Sequence, residues 1–384
     1  MLLTMPSGRT LGAPIAAPTT FTDLAAANAG TALTANDLEY NVGAAVAYHR
    51  RVAFFQGNGG AQNVATSAWT PITLGEIIDV HAGHSDSSNP ARVAADSTGT
   101  GDDWYLCVGM VPLAAAASGA GVAGIRLNGS TIYEGAKLPL GSAHAATMMV
   151  AELLRVQTGS SQYVELMAYQ NSGGTIATQA SGTKLPQFAM RWACSNTGDL
   201  VAAPSVPRTW TADDLLTADL AGPGQVPLNT HIRDVVRWLR YPPVARVDSR
   251  STTQTLNSGA WTSIQMTGGS IDNYDGHSTS VNNTRYTAPR AGLYFVYGLA
   301  AVNEAAGATG YRASRLAVNG TTFYAGTSCE PASTSLGTAV PACAHIRLNA
   351  GDYVELQMRP QGNNVTVKSG TGDSSRLIVV WRGL

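Results

Sequence analysis

Two histidines and an aspartate stand close together in the segment DVHAGHSDSSN, where His81, His84 and Asp86 are of the residue types that bind transition metals. A related segment, YDGHSTSVNN, keeps only His277 of this set. A loop rich in Gly, Ser and Asn needs no metal to explain it. The sequence therefore favours a surface or interface loop, with a metal site as the alternative.

A second group of oxygen-bearing side chains lies in the same later segment. Asp272, Asn273 and Asp275 could supply ligands of the kind that Ca²⁺ prefers. The twelve-residue pattern of an EF-hand loop is missing, however. We therefore expect no bound cofactor, with calcium as the alternative.

The sequence does not support any residue pattern that is typical of a catalytic site. No Ser-His-Asp arrangement is indicated, and G-x-S-x-G does not occur as a strand-to-helix elbow. The glycine-rich stretch ASGAGVAGIRLNG precedes a strand, whereas a phosphate cradle requires the N-terminus of a helix. The sequence thus predicts a protein that is not an enzyme.

Composition narrows the class of protein further. The chain of 384 residues is 44% hydrophobic but only 13% charged, and its net charge of −1 gives no electrostatic case for nucleic-acid binding. No run approaches the roughly 20 apolar residues of a membrane span, and no signal peptide is visible. We expect synthesis in a cytoplasm. Cys329 and Cys343 flank a short segment and could be either free or bridged.

The chain contains two similar copies of one sequence unit. SAWTPI at 67–72 returns as GAWTSI at 259–264, and SQYVELMAYQNSG at 161–173 returns as GDYVELQMRPQGN at 351–363. FAMRWA at 188–193 returns as LIVVWRG at 377–383. The order is kept and the offsets stay within a few residues, which indicates a tandem duplication of a unit of about 190 residues.

Each unit opens with a segment that predicts a short helix. In the second unit Thr230 can cap the helix, and an apolar face follows before two prolines end it. The residues predicted to dock these two helices are Leu38, Val42, Val46, Ile232, Val235 and Leu239. So narrow a stripe does not stabilise a helix alone, so we expect it to pack on its own domain or on copies of itself.

The rest of each unit predicts strands. Apolar and polar residues alternate in YVELQM, and Asn-Gly turn signals occur at 128–129 and 319–320. Many short strands with such turns indicate a mainly β protein of the sandwich or jelly-roll class. We expect an N-terminal arm and helix at 1–55, a first jelly roll at 56–200, a linker with a helix at 201–246 and a second jelly roll at 247–384.

The later half carries a resemblance to a known family. YTAPRAGLYFVYGLAAV, LAVNG, IRLNAGDYVELQM and LIVVW, in this order, resemble complement globular-head domains and their tumour-necrosis-factor-like relatives. The resemblance covers about residues 250–384, and the first copy joins it through the repeat. It implies two tandem jelly rolls and association as a compact homotrimer.

The helical segment PRTWTADDL…LNTHIRDVVRWL is similar to the openings of small tail and fibre proteins of actinobacterial phages. Three Lys stand against 21 Arg, which is typical of a high-GC genome. Together these features predict a virion structural protein, a trimeric minor tail or tail-tip protein involved in host surface attachment. A capsid decoration or head-fibre protein and a virion glycan hydrolase are the alternatives.

Strand alternation also suggests which side chains meet a neighbouring subunit. Tyr294 and Phe295 face opposite sides of one strand, so we expect one of them at a trimer contact, with Tyr297 and Tyr105 as further candidates. The expected partners are copies of the chain itself, other tail or capsid proteins and a host surface glycan. Tyr311, Asn363 and Asn364 are candidates for contacting the glycan.

Overall fold

The computed structural model describes residues 54–195 and 241–383, apart from short gaps at 81–82, 85–86, 96–101, 142–144, 158–160, 182–183, 252, 330, 332–336 and 371. Within these residues every regular element is a β-strand. The predicted helices at Leu38, Val42 and Val46 and at Ile232, Val235 and Leu239 lie outside the described residues. In the described part of the chain, no helix has the length and apolarity to cross a bilayer.

The first group of strands is named the first sandwich. Its strands are β1 (Phe54–Asn58), β2 (Asn63–Val64), β3 (Thr70–Pro71), β4 (Gly75–Asp79), β5 (Arg92–Ala94), β6 (Asp102–Leu113), β7 (Ala120–Leu127), β8 (Thr131–Pro139), β9 (Ala146–Gln157), β10 (Tyr163–Gln170), β11 (Ile176–Ala177) and β12 (Gln187–Ser195).

The second sandwich follows after residue 243. Its strands are β13 (Val244–Asp248), β14 (Thr255–Leu256), β15 (Thr262–Ser263), β16 (Gly268–Asp272), β17 (Arg285–Thr287), β18 (Gly292–Asn303), β19 (Arg312–Val318), β20 (Thr322–Cys329), β21 (Thr338–Leu348), β22 (Tyr353–Pro360), β23 (Val365–Val367) and β24 (Arg376–Gly383).

Each sandwich has two antiparallel sheets. The inner sheet of the first sandwich has the order β4-β1-β12-β6-β9, and the inner sheet of the second has the order β16-β13-β24-β18-β21. The outer sheets run β8-β7-β10-β3 and β20-β19-β22-β15, with β5 and β17 also paired to β10 and β22. The first long strand of each sandwich pairs with its last, which is the strand order of a jelly roll.

The prediction of two tandem jelly-roll sandwiches is therefore confirmed. Every strand of the first sandwich has a counterpart in the second, so that β6 corresponds to β18 and β9 to β21. The first described strands of the two sandwiches begin at Phe54 and Val244. The domain boundaries at 56 and 247 stay predictions.

Alternation along each strand builds the two cores. On β18, Tyr294, Val296 and Ala300 point into the second sandwich, where they pack with Leu356 and Leu377. The same pattern on β6 places Tyr105 and Cys107 inside the first sandwich. Burial of these apolar side chains supplies the main driving force for folding each unit.

The hairpins β7–β8 and β19–β20 turn at the predicted Asn-Gly pairs. Asn128 and Gly129 have φ values of 51° and 68°, and Asn319 and Gly320 have 50° and 68°. Two consecutive left-handed residues define the tight turn that suits the twist of a hairpin. Asn and Gly are the residues that adopt this backbone most readily.

Candidate interaction site between the two sandwiches

The two sandwiches contact each other through the outward faces of their inner sheets, and this contact is named the junction. Its apolar residues form a separate buried cluster that belongs to neither core. The cluster contains Trp104, Leu106, Ala151, Leu153, Ala193 and Cys194 of the first sandwich and Val244, Tyr297, Leu299, Ala301, Ala339, Ile378 and Val380 of the second. Strands β6 and β18 thus bury both faces, one in a core and one in the junction.

Buried charges lie beside this apolar cluster. The Glu152 carboxylate on β9 accepts a hydrogen bond from Arg246 Nε at 2.5 Å and lies 3.2 Å from Arg376 Nε. Arg246 Nη1 also donates to Asp248 at 2.6 Å. Glu152, Asp248 and Arg376 are fully buried. A buried carboxylate is costly without partners, so these contacts fix how the first sandwich meets the second.

A second set of polar contacts joins the edge strand β8 to the second sandwich. Arg376 Nη2 donates to the carbonyl oxygen of Glu134 at 2.6 Å. Buried Lys137 contacts the Glu134 carboxylate and lies 3.8 Å from Asp373. Ala339 on β21 pairs with Lys137, which continues the inner sheet of the second sandwich into the outer sheet of the first.

Burial and neighbouring charges change the acidity of these groups. Burial lowers the pKa of Arg246, but Glu152 and Asp248 outweigh this effect and raise the pKa above its usual value. Burial lowers the pKa of Lys137 despite the attraction of Glu134. Burial raises the pKa of Tyr297, and the phenol is neutral at physiological pH. These buried groups are suited to holding the two sandwiches together.

The charged residues of the junction are not repeated in the two copies. In the first sandwich Gln56 pairs with Ala189, and at the same position of the second sandwich Arg246 pairs with Ile378. Gln56 is therefore the counterpart of Arg246. Likewise Gln187 occupies the place of Arg376, and Ala344 that of Glu152. The ion pairs therefore form only when the edge of the first sandwich meets the inner sheet of the second.

The four tyrosine and phenylalanine candidates fall into two groups. Tyr105 and Tyr294 fill the cores of their own sandwiches, because their strand positions point inward, and these positions leave no exposed surface for a subunit contact. Tyr297 is buried in the junction, and Phe295 packs against it and lies 5.4 Å from the ring of His345. Because Tyr297 is also fully buried between the two sandwiches of one chain, it leaves no surface for a subunit contact, and a trimer contact stays a prediction for Phe295.

The histidine candidates make contacts within their own loops. His84 Nε2 lies 3.1 Å from the carbonyl oxygen of Pro90, and the His84 ring packs against Phe55. His277 bridges the carbonyl oxygens of Arg285 and Met266 at 2.9 and 3.0 Å. His81 and Asp86 lie outside the described residues. No metal-binding cluster of His, Cys, Asp or Glu occurs among the residues that are described.

The calcium candidates are occupied by turn contacts. Asp272 accepts hydrogen bonds from the backbone N–H groups of Gly276 and His277 at 3.1 and 2.7 Å. Asn273 accepts a hydrogen bond from the N–H of Val244 and donates one to Pro242. These side chains shape the loop after β16.

The structure distinguishes between the two alternatives for the cysteine pair. Neither Cys329 nor Cys343 forms a disulfide bond. Cys343 is exposed, and its sulfur lies 3.8 Å from that of Met149 in the first sandwich. Burial of part of its side chain raises the pKa of the Cys343 thiol.

The residues suggested for glycan contact have structural partners. Arg359 Nη2 donates to Tyr311 Oη at 2.6 Å, and Asn363 accepts a hydrogen bond from the N–H of Thr309 at 2.9 Å. Asn364 accepts one from Ser258. These contacts close the loops at one end of the second sandwich.

Sequence reasoning missed Glu152, Arg246 and Arg376. A signal was present, because each charge interrupts an apolar strand in one copy and is replaced by a neutral residue in the other. A charge in a buried strand calls for a partner, but the partner of Glu152 lies 94 positions away along the chain. Only the docked sandwiches bring the three together.

Comparisons with known proteins give structures alone. No family model matches the chain, and no curated protein sequence matches it. Among solved structures, the globular domain of zebrafish complement 1qA protein is similar at 15% identity and a TM-score of 0.25, over 36% of this chain and 96% of that one.

Two other solved structures are similar over a comparable share of the chain. Murine APRIL matches at 10% identity and a TM-score of 0.27, over 36% of this chain and 98% of that one. Eiger TNF from S. frugiperda matches at 13% identity and a TM-score of 0.26, over 39% and 98%. The strand order of each unit, taken by itself, makes the chain a tandem of two jelly-roll sandwiches.

Proposed function

We propose that the chain is a non-enzymatic structural protein of a phage virion, a minor tail or tail-tip protein that assembles as a trimer and takes part in host surface attachment. The observation that carries this proposal is the junction. One sandwich recognises another through an apolar face and buried ion pairs. Such a contact is typical of assembly between subunits.

The geometry of the junction supports further assembly. The edge formed by β8 and β9 meets the inner sheet of the second sandwich, so the two contacting surfaces differ. Contacts of this heterologous type close into rings when the rotation permits it. The equivalent edge of the second sandwich is left to meet another chain, and such a contact would build a trimer with six sandwiches.

The corresponding edge of the second sandwich is exposed beyond Ala339, where β21 pairs with β8. Ala151 and Leu153 are buried in the junction, whereas their counterparts Cys343 and His345 on β21 are exposed. Phe323 on β20 has 48% of its surface exposed. This edge, named the free edge, supports the proposal of contact with another copy.

The phage assignment is supported by the sequence. The segment PRTWTADDL…LNTHIRDVVRWL is similar to the openings of actinobacterial phage tail and fibre proteins. The Arg-over-Lys bias fits the same source. The two sandwiches fit a structural part of the particle and its contact with tail or capsid partners.

A charge on the free edge tests self-assembly. We expect Cys343→Arg to convert the trimer into smaller species, because an unpaired guanidinium would have to lose its water in the contact. Multi-angle light scattering of the full chain gives the mass. Val281→Arg, at a residue that is 66% exposed elsewhere, is the control and leaves the mass unchanged. A monomeric parent chain at high concentration contradicts the trimer.

Labelling of particles tests the location. Antibody raised against the full chain, imaged by electron microscopy on particles of the encoding phage, is expected to mark the tail. Gold on the heads would favour the capsid decoration alternative, and unlabelled particles would contradict a virion protein. Release of sugar from host envelope by the pure chain would favour the hydrolase alternative.

A further inference from the structure

A cleft opens at the junction between the two sandwiches. Its volume is about 400 Å³, within the size range of small-molecule sites. Strands β6, β8 and β9 supply one wall, and residues on or near β13 and β16 supply the other. The cleft therefore exists only while the sandwiches are docked.

The charge of the cleft is one-sided. Three arginines, Arg155, Arg246 and Arg250, line it, and none of its described lining residues is a carboxylate. Behind the wall, Asp248 and Glu152 serve Arg246, Arg250 and Arg376 together, so three guanidiniums share two carboxylates. One positive charge is left over among these five groups.

Arg250 is the arginine best placed to meet a ligand. Its side chain is 42% exposed, whereas Arg246 is 4% exposed. Its ion pair with Asp248, at 3.1 Å, is shared with Arg246, which contacts the same oxygen at 2.6 Å. Guanidinium groups bind carboxylates and phosphates through paired hydrogen bonds.

The other walls suit a sugar ring. Trp104 and Tyr133 supply aromatic surface, and Thr131 and Ser270 supply hydroxyl groups. Aromatic side chains offer an apolar face, and hydroxyls both donate and accept hydrogen bonds. A ligand that carries hydroxyls and an oxyanion would use all of these groups.

We infer that the cleft binds an oxyanion-bearing saccharide, with Arg250 holding the anion at the mouth and Trp104 and Tyr133 contacting the ring. The shared chemistry is a carboxylate or phosphate on a polyhydroxylated chain. This inference rests on the proposed role in host surface attachment, and it names the class of ligand to which the protein would attach.

Calorimetric titration of the full chain tests the site with three probes, a uronic-acid trimer, a glycerol-phosphate trimer and a neutral glucose trimer. We expect one or both anionic probes to bind at least tenfold more tightly than the neutral probe, and binding to weaken as salt is raised. The tighter anion identifies the source of the oxyanion. Equal binding of the neutral probe, or no binding of either anion, overturns the inference.

Two variants locate the site. Arg250→Gln should weaken binding of the anion about tenfold, the effect of one charged hydrogen bond. Arg92→Gln is the matched control, because Arg92 is 45% exposed and lies 3.6 Å from its carboxylate partner Glu165. Ser270→Trp fills the cleft without altering its charge and should abolish binding. Equal loss in Arg92→Gln, or unchanged binding in both cleft variants, overturns the inference.

Light scattering on the same samples separates this inference from the proposed function. A trimer that fails to bind either anion overturns the cleft assignment and leaves the assembly standing. A monomer that binds the anion overturns the trimer and leaves the cleft standing.

Discussion

At the scale of single residues, Glu152 has the largest consequence for the molecule. It is fully buried, and the groups that balance its charge belong to the other sandwich. Removing one member of a buried ion cluster leaves the remaining charges unpaired, which costs more than the cluster contributes when intact. The Glu152 carboxylate therefore determines whether the docked state of the two sandwiches is stable.

The first prediction replaces this charge. Glu152→Gln keeps the shape of the side chain but leaves Arg376 without a carboxylate, and we expect the free energy of unfolding to fall by about 3 kcal/mol. Urea denaturation measures the loss, and hydrogen exchange on β13 and β24 should accelerate. Glu165→Gln, a buried carboxylate paired inside the first sandwich, is the control that leaves exchange in those strands unchanged.

At the scale of elements, β18 shows how one strand serves two purposes. Its alternate residues fill the core of the second sandwich, and those between them build the junction. The period of two separates the two sets of side chains cleanly. A substitution on one face should therefore affect either the sandwich or the docking, depending on its position.

The second prediction uses this separation. We expect Tyr297→Ala to cost about 3 kcal/mol, because a buried aromatic side chain leaves a cavity at the junction. Val296→Ala, one position earlier on the same strand, should loosen the second sandwich itself. Exchange measured on β9 across the junction distinguishes them, and equal protection of β9 in both variants would count against two separate faces.

The third prediction concerns the free edge and pH. Burial and the nearby charge of Arg382 both lower the pKa of His345. The unfolded chain then binds the proton more readily than the folded one, so stability is present above about pH 6.5, the ordinary value, and falls as pH drops below it. Melting at pH 7.5 and 5.5 should show a smaller decrease in His345→Asn than in the parent chain.

At the scale of the whole molecule, the two copies of the repeated unit form the two sides of one contact, the junction. Each sandwich has its own core, and the junction has a third cluster between them. The ion pairs occur in one direction only, so the two copies are no longer interchangeable. This asymmetry allows the first sandwich to dock on the second in one orientation.

The fourth prediction separates the copies. Fragments 54–195 and 241–384, expressed apart and mixed, should form a one-to-one complex, because the junction surfaces are apolar and complementary. Glu152→Arg in the first fragment should abolish the complex through repulsion between like charges. Size-exclusion chromatography gives the answer, and fragments that elute separately at micromolar concentration would refute an autonomous junction.

The sequence by itself determined the duplication, the strand character and the turns. Repetition of the unit, alternation in segments such as β22, and the Asn-Gly pairs are local patterns, and the physics behind them acts over a few residues. Tyr105 and Tyr294 were predicted as candidates for a subunit contact and lie in the cores instead, because alternation does not say which face of a strand meets the core. The tertiary structure decided that Tyr297 and Leu299 face the other copy.

Only the tertiary structure decided the partners of Glu152 and the presence of the cleft beside Arg250. Such contacts join residues far apart in the chain, and they depend on the angle and register at which two finished sandwiches dock. Electrostatic energy depends on separation in space and on burial, and neither quantity is written in the spacing along a chain.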